Sequence, residues 1–324
     1  MNRRRTALAL TAAALVLAAC ADPEQAPEPD SAADELVIGL TYTPDVQFAP
    51  FYVAEARGYY EDAGVDVTLR HHGASESLFG ALEAGEEDLV VAGGDEMLQA
   101  RSAGVPVVNV ATLYEEYPVV LIVPGDSDIT TAADLAGHTV GIPGPFGETY
   151  FGLLALLVDA GLTEDDVTVE SIGYTQQAAL SAGHVDAVMG FANNDAVQFA
   201  QAGVDVSTIP LGDVPLVGIG IGAHDDIADD DVTAAVVEAT MRGVRDIVED
   251  PAAAVDVAAE HVPGLADSAA REAALATVEA TVPLYGSATG ASDVARWEAM
   301  VTFMAEHGLL EGEVDAADAV RTLG

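Results

Sequence analysis

From Leu36 onward, short apolar runs alternate with longer segments whose apolar residues recur at helical spacing. ELVIGL reads as a strand, FAPFYVAEARGYYEDAG as a helix ending near Gly64, and VDVTLRHH as the next strand. SESLFGALEAGE is a helix with Ser75 as a candidate N-cap, DLVVAGG a buried strand, and DEMLQARSAG a helix closed by Gly104. VPVVNVATL and VVLIVP are strands on either side of the tyrosine-bearing loop EEYP. A second set of the same units begins near Asp134: the strands lie in HTVGIPG, DVTVESIGY, HVDAVMGF and VDVSTIPL, the helices in TYFGLLALLVDAGL, TQQAALSAG and NNDAVQFAQAG. PLVGIGIGAH then reads as a strand returning to the first set, and the remainder is helical. Val-rich strands separated by helices predict α/β lobes built on open parallel sheets. Lobe one is assigned to 36–121 plus 219–324, with the helical tail packed on it, and lobe two to 122–218. Two crossovers, near Leu121 and Gly218, make a hinge, and the ligand belongs in the crevice at the carboxyl ends of the strands.

The first twenty residues change the picture of where this occurs. Arg3, Arg4 and Arg5 precede an apolar run, Ala7 to Ala19, that is too short for a permanent membrane span. The run ends in LAAC at Cys20. Residues 1–20 are read as a lipoprotein signal peptide with Cys20 as the lipidated residue. Residues 21–35, rich in Pro, Ala and acid, are read as a disordered tether. Cys20 is the single cysteine, so no intramolecular disulfide can form. The formal charge is −43, with all eleven basic residues arginine. Such a surface repels nucleic acid and anionic headgroups, which argues against both as partners.

Candidate site residues follow from the strand ends. Tyr42, Asp45, Gln47 and Phe48 come after the first strand, and Arg70, His71, His72 and Glu76 after the second. Asp95 and Glu96 follow the third, and Tyr114 and Tyr117 the fourth. In the second set, GIPGPFGETYFG supplies Phe146, Glu148 and Tyr150 at a helix start. GYTQQ supplies Tyr174, Gln176 and Gln177, and GFANND supplies Phe191, Asn193, Asn194 and Asp195. Neutral amides thus stand on both sides of an apolar strand, with aromatic residues beside them. Each has a plainer reading: Asn193 and Asp195 as helix caps, Tyr42 and Phe48 as core, Glu96 on a solvated helix face.

Catalysis finds little support, since G-x-S-x-G, HExxH and a free cysteine nucleophile are all missing from the sequence. Adjacent His71 and His72 point to opposite faces of a strand, so no metal site is expected, and no cofactor is implied. No Lys or Arg occurs between Arg101 and Arg242, so lobe two offers no permanent cation to an anion. That bias favours a neutral or weakly basic ring held by tyrosines and amides.

The run FAPFYVAEARGYYEDAGVDV, with ALEAGEEDLVVAGGDEMLQARSAGVPVV, ITTAADLAGHTVGIPG and ALSAGHVDAVMGF, resembles the solute-binding proteins of nitrate, alkanesulfonate and thiamine-pyrimidine importers. The resemblance covers Leu36 to His224. It implies a type II periplasmic-binding fold, closure on ligand by hinge bending, delivery to an ABC permease and its ATPase, and a monomer. The Tyr42-Thr43-Pro44-Asp45 segment occupies the place of a ring-holding segment in the pyrimidine binders, with Thr43 departing from the usual aromatic. Pyrimidine precursor and riboflavin both remain open as cargo. Taurine or another sulfonate, nitrate, an enzyme on the same fold and a sensor are the alternatives.

Overall fold

The computed structural model describes residues 34–73 and 76–322. Cys20, the segment read as a signal peptide, nearly all of the segment read as a tether, and Ser75 lie outside the described residues. In chain order the strands are β1 Asp34–Leu40, β2 Val65–His71, β3 Leu89–Gly93, β4 Val107–Thr112, β5 Val119–Pro124, β6 Thr139–Ile142, β7 Thr168–Ser171, β8 Ala187–Phe191, β9 Val206–Pro210 and β10 Ile219–His224. The helices of the first set are α1 Ala49–Ala56, α2 Tyr59–Asp62, α3 Gly80–Ala84 and α4 Gly94–Ser102. Those of the second are α5 Gly147–Asp159, α6 Gln176–Ser181 and α7 Asp195–Gln201. The tail carries α8 Asp231–Glu249, α9 Pro251–Ala258, α10 Ser268–Thr281, α11 Val294–Glu306 and α12 Ala316–Ala319. The helix expected to run unbroken to Gly64 is divided at Gly58, whose φ of 71° starts α2 afresh.

Two five-stranded sheets form two α/β lobes, ordered β2-β1-β3-β10-β4 and β7-β6-β8-β5-β9. The sheets are mixed where the sequence predicts them parallel. β10 runs antiparallel to both β3 and β4, and β5 antiparallel to both β8 and β9. The physical reason is direction: a strand that enters a sheet from the other lobe arrives at the end where the resident strands finish. The chain passes from the first sheet to the second between Thr112 and Val119, so Leu121, near which the sequence puts the crossover, lies within β5.

One hydrophobic cluster joins β1, α1 and the tail helices α8, α9 and α10. A second runs from α4, Trp297 and Met300 on one side to Val119, Phe151 and Leu153 on the other, so the lobes share packed side chains. Beside it the two linkers touch. The N–H groups of Leu113 and Tyr114 both donate to the Ile219 carbonyl at 2.9 Å. A Cβ on Gly218 would stand 2.7 Å from the Tyr114 carbonyl oxygen, so only glycine permits this approach. Gly218→Ala is expected to cost about 1–3 kcal/mol through forced separation of the linkers, read as a lower midpoint in urea unfolding.

A cavity between the lobes and a buried carboxylate cluster

A cavity of about 370 Å³ opens where the lobes and the tail meet. From lobe one come Tyr42, Asp45, Val46 and Gln47, the loop that follows β1. Tyr114 on the first linker and Ile219 at the start of β10 also line it. From lobe two come Phe191, Asn193, Asn194, Gln198 and Gln201. The third wall belongs to the tail: Val262, Leu265 and one face of α10. Among the described residues, no basic side chain lines the cavity.

Local chemistry explains each wall. Asp45 caps a short turn by accepting the Gln47 N–H at 3.0 Å, which fixes the loop after β1. The His71 ring braces the same loop. Its Nδ1 lies 3.1 Å from the Tyr42 carbonyl, which can only accept, so Nδ1 carries the proton. Nε2 then accepts from the Tyr52 hydroxyl at 3.0 Å. Burial lowers the His71 pKa, consistent with this neutral form. In lobe two, Asn194, Gln198 and Gln201 fall at i, i+4 and i+7 along the start and body of α7 and share one face. Gln198 Nε2 donates to Asn194 Oδ1 at 2.6 Å, and Gln177 Nε2 to the Gln198 carbonyl at 3.2 Å.

Seven of the 22 candidate site residues line this cavity: Tyr42, Asp45, Gln47, Tyr114, Phe191, Asn193 and Asn194. The others lie elsewhere, for identifiable reasons. Phe48 is buried against the His71 ring, with centroids 5.6 Å apart. His71 serves the loop rather than the cavity wall. Tyr174 is 81 % exposed and Phe146 53 % exposed, both away from the lining. Tyr150 reaches Glu164 at 3.2 Å on the surface of lobe two. Gln176 is buried at the first turn of α6. Arg70 is engaged by Glu76 and Glu87, each at 2.5 Å. His72 is buried with Nε2 2.8 Å from Glu87, so the two histidines occupy separate settings. Gln198 and Gln201 escaped the reading of strand ends, although their spacing from Asn194 carries the signal. Nothing in the alanine-rich α10 marked it as a wall.

Asp95, Glu96, Glu148 and Tyr117 form a second polar group, outside the cavity lining and across the lobe junction. Asp95 and Glu96 open α4 in lobe one, Glu148 opens α5 in lobe two, and Tyr117 lies on the linker. The Tyr117 hydroxyl lies 2.6 Å from Asp95 Oδ2 and 3.0 Å from the Glu148 carbonyl. Glu96 Oε2 accepts the Gly93 N–H at 3.2 Å, and Asp95 Oδ1 the Glu96 N–H at 2.7 Å. The carboxylates crowd Gly93: a Cβ there would stand 2.6 Å from Asp95 Oδ1 and 3.0 Å from Glu148 Oε1. Burial, then the Glu96 charge, pushes the Asp95 carboxyl up to about 8. Glu148 is raised well above the usual carboxylate range by burial and by both neighbours, and Glu96 is raised by burial. Three carboxyl groups in so dry a space cannot all ionise, so the cluster holds protons at neutral pH.

Comparison with known proteins now bears on this frame. A family model described as NMT1/THI5 like matches residues 45–254. The chain belongs to that family. It is 32% identical over 314 residues to the riboflavin-binding protein RibY of Chloroflexus aurantiacus, covering 92% of this chain and 89% of the relative. It is 25% identical over 333 residues to the formylaminopyrimidine-binding protein of Halalkalibacterium halodurans, covering 98% of each. Among solved structures, the periplasmic aliphatic sulphonate binding protein SsuA of Escherichia coli matches with a TM-score of 0.72 and 18% identity, over 90% of this chain and 94% of that one. The fold of this NMT1/THI5-like chain is therefore that of the periplasmic binding proteins, as the resemblance implied.

The carboxylate cluster gives this family member a definite pH signature. Asp95 has a folded-state pKa above its unfolded value of about 4, so the native state binds the extra proton between about pH 4 and pH 8. Its contribution to stability is present at the acid end of that window and is lost as pH rises through it. The melting temperature should fall from about pH 5 to pH 8, and Asp95→Asn should flatten the slope. Differential scanning calorimetry across that range checks it.

Proposed function

We propose that the protein is the exported, lipid-anchored substrate-binding component of an ABC importer. It captures a flat heteroaromatic vitamin, riboflavin before a thiamine-pyrimidine precursor, by closing its lobes over the ring. The observation that carries this reading is the lining of the cavity: tyrosines and Phe191 for the faces of a ring, amides for its edge, and, among the described residues, no cation. Amides can donate and accept without a desolvated charge, which a buried site tolerates far better than an unpaired ion. The volume falls within the range of sites for drug-sized ligands, which favours riboflavin, with three fused rings, over a single pyrimidine. The name of the 32% identical relative supports the same order, and that of the second supports the pyrimidine as the runner-up. A sulfonate or nitrate would have to bind without any basic side chain in the lining, which argues against the anion readings.

On this reading the protein carries its cargo without transforming it, as a monomer delivering to a permease and its ATPase. Cys20 supplies the lipid anchor, and the acidic surface keeps the body off anionic headgroups. Closure replaces a hydrated cleft by a dry one, with ligand contacts selecting the closed state.

Titration calorimetry of the full chain with riboflavin, formylaminopyrimidine, taurine and nitrate tests the proposal. Riboflavin is expected to bind in the micromolar range or tighter, and Asn193→Ala to weaken it about tenfold or more. Tyr174→Ala, exposed and off the cavity, should leave affinity unchanged. Binding of taurine or nitrate alone would overturn the reading, as would chemical turnover of the bound ring.

A further inference from the structure

Two walls of the cavity are tied together behind the lining by a group of rings. β2 ends at His71, which pairs with Leu40, the last residue of β1. The His71 ring therefore stands beside the loop that brings Tyr42, Asp45, Val46 and Gln47 to the cavity. The hydroxyl of Tyr52, a fully buried residue of α1, reaches His71 Nε2 at 3.0 Å. The Tyr52 ring in turn stacks on the His261 ring, with centroids 4.2 Å apart and planes 6° from parallel. His261 immediately precedes Val262, which with Leu265 belongs to the tail wall. The loop wall and the tail wall are thus joined through Tyr52, although none of Tyr52, His71 and His261 lines the cavity.

The hydrogen bonds in this group run in one sense. The Tyr42 carbonyl can only accept, so the His71 proton sits at Nδ1, and Nε2 of the neutral ring is a bare acceptor for the Tyr52 O–H. A second proton on the ring would set an N–H against that O–H. The hydroxyl would have to turn its hydrogen away, and His71 is its one hydrogen-bond partner among the described residues. Burial lowers the His71 pKa, the Tyr42 carbonyl raises it, and His261 and the adjacent His72 lower it further. His72 itself is held by Glu87. Asp45 in the loop and Glu55 on α1 are the carboxylates beside Tyr52, and Glu55 lies 3.6 Å from His261.

We infer that Tyr52 and His71 are positioning residues for the ring site: neutral His71, bonded by the Tyr52 hydroxyl, holds the Tyr42 loop in its binding position, and acid releases it. The state that binds the ring tightly then has neutral His71, so a proton taken up by the free protein must be given up on binding. Affinity is level where His71 is already neutral and falls, by up to about tenfold per pH unit, below its pKa. Because that pKa lies under the ordinary histidine value of about 6.5, the fall begins on the acid side of neutrality. The carboxylate cluster at the lobe junction takes up protons on acidification, which favours the joined lobes, so it supplies no slope of this sign. This inference rests on the reading of the cavity as a ring site and adds which residues behind the lining set it, and the pH at which it is intact.

The test is titration calorimetry of the full chain with riboflavin and with formylaminopyrimidine from pH 8 to pH 5, with melting curves confirming the fold at each pH. For whichever ring binds, the natural chain should keep its affinity from pH 8 to pH 7 and lose about threefold to tenfold by pH 5. His71→Gln still offers the Tyr42 carbonyl a donor but carries no charge at any pH, so its affinity should show no acid loss. Tyr52→Phe keeps the stack on His261 and lacks the hydroxyl. Its binding at pH 8 should weaken about threefold or more, and its acid loss should shrink, because no O–H opposes the second proton. A natural chain whose affinity is level from pH 8 to pH 5 would overturn the inference, as would an acid loss of full size in His71→Gln. If His71→Gln does not fold, Tyr52→Phe decides, and an undiminished acid loss there overturns it. Failure of both rings to bind at any pH removes this inference together with the proposed function, whereas a bound ring whose affinity ignores pH removes this inference only.

Discussion

The contact of the two linkers is the constraint from which the interior follows. Tyr114 can sit at the cavity floor because its carbonyl lies against Gly218, where no side chain intervenes. The same crossing sets Ile219 opposite Gly93 in the first sheet. It also lets the Gly94 N–H donate to the Gly218 carbonyl at 3.0 Å, which anchors the start of α4. The start of α4 carries Asp95 and Glu96, so the carboxylate cluster hangs on the linkers as much as the cavity does. Motion of one lobe against the other must therefore work on both polar groups at once. A pivot that relaxed the cavity would also separate Glu148 from Asp95, because they belong to different lobes.

The two groups solve the burial of polarity in opposite ways. Around the cavity, uncharged amides meet one another and the backbone, with Gln198 on Asn194 and Gln201 on α10. At the junction, carboxyls are buried and must hold protons. A chain of formal charge −43 with no lysine has few other options for polar interior chemistry. Among the described residues the arginines pair outside the cavity, as Arg70 does with Glu76 and Glu87 and Arg101 with Asp225 at 2.8 Å. An amide-lined cleft is consistent with that scarcity, since it needs no cation to balance it.

Much of the architecture was legible along the chain because period and punctuation agree. Apolar runs such as DLVVAGG and HVDAVMGF fall on β3 and β8, and both sets of βα units are present. Strand direction was not legible, since a run of valines reads alike in either sense; the crossover geometry makes β5 and β10 antiparallel. At the site, the rule that ligands gather at strand ends found the Tyr42 loop and the amides after β8. It also gathered Asp95, Glu96 and Glu148, which are at strand ends but face one another across the junction. Abundant acids hid that difference, because burial and neighbours, not residue type, decide what a carboxylate does. The α10 wall was illegible for a simpler reason: alanine carries no chemistry, and its value lies in the space it leaves.

That wall changes how the site as a whole is to be understood. Two lobes and a hinge alone would clasp a ligand from two sides, with the tail serving only to pack against lobe one. Here α10 packs on α9 and lobe one through Val278, yet it also meets lobe two at Gln201 and Asn193. In the proposed closure α10 would be a third body, with α7 moving against the tail and the segment after β8 carrying Asn193 toward Thr281. Both bonds join lobe two to a helix packed on lobe one, so an opening of the cleft would have to lengthen both.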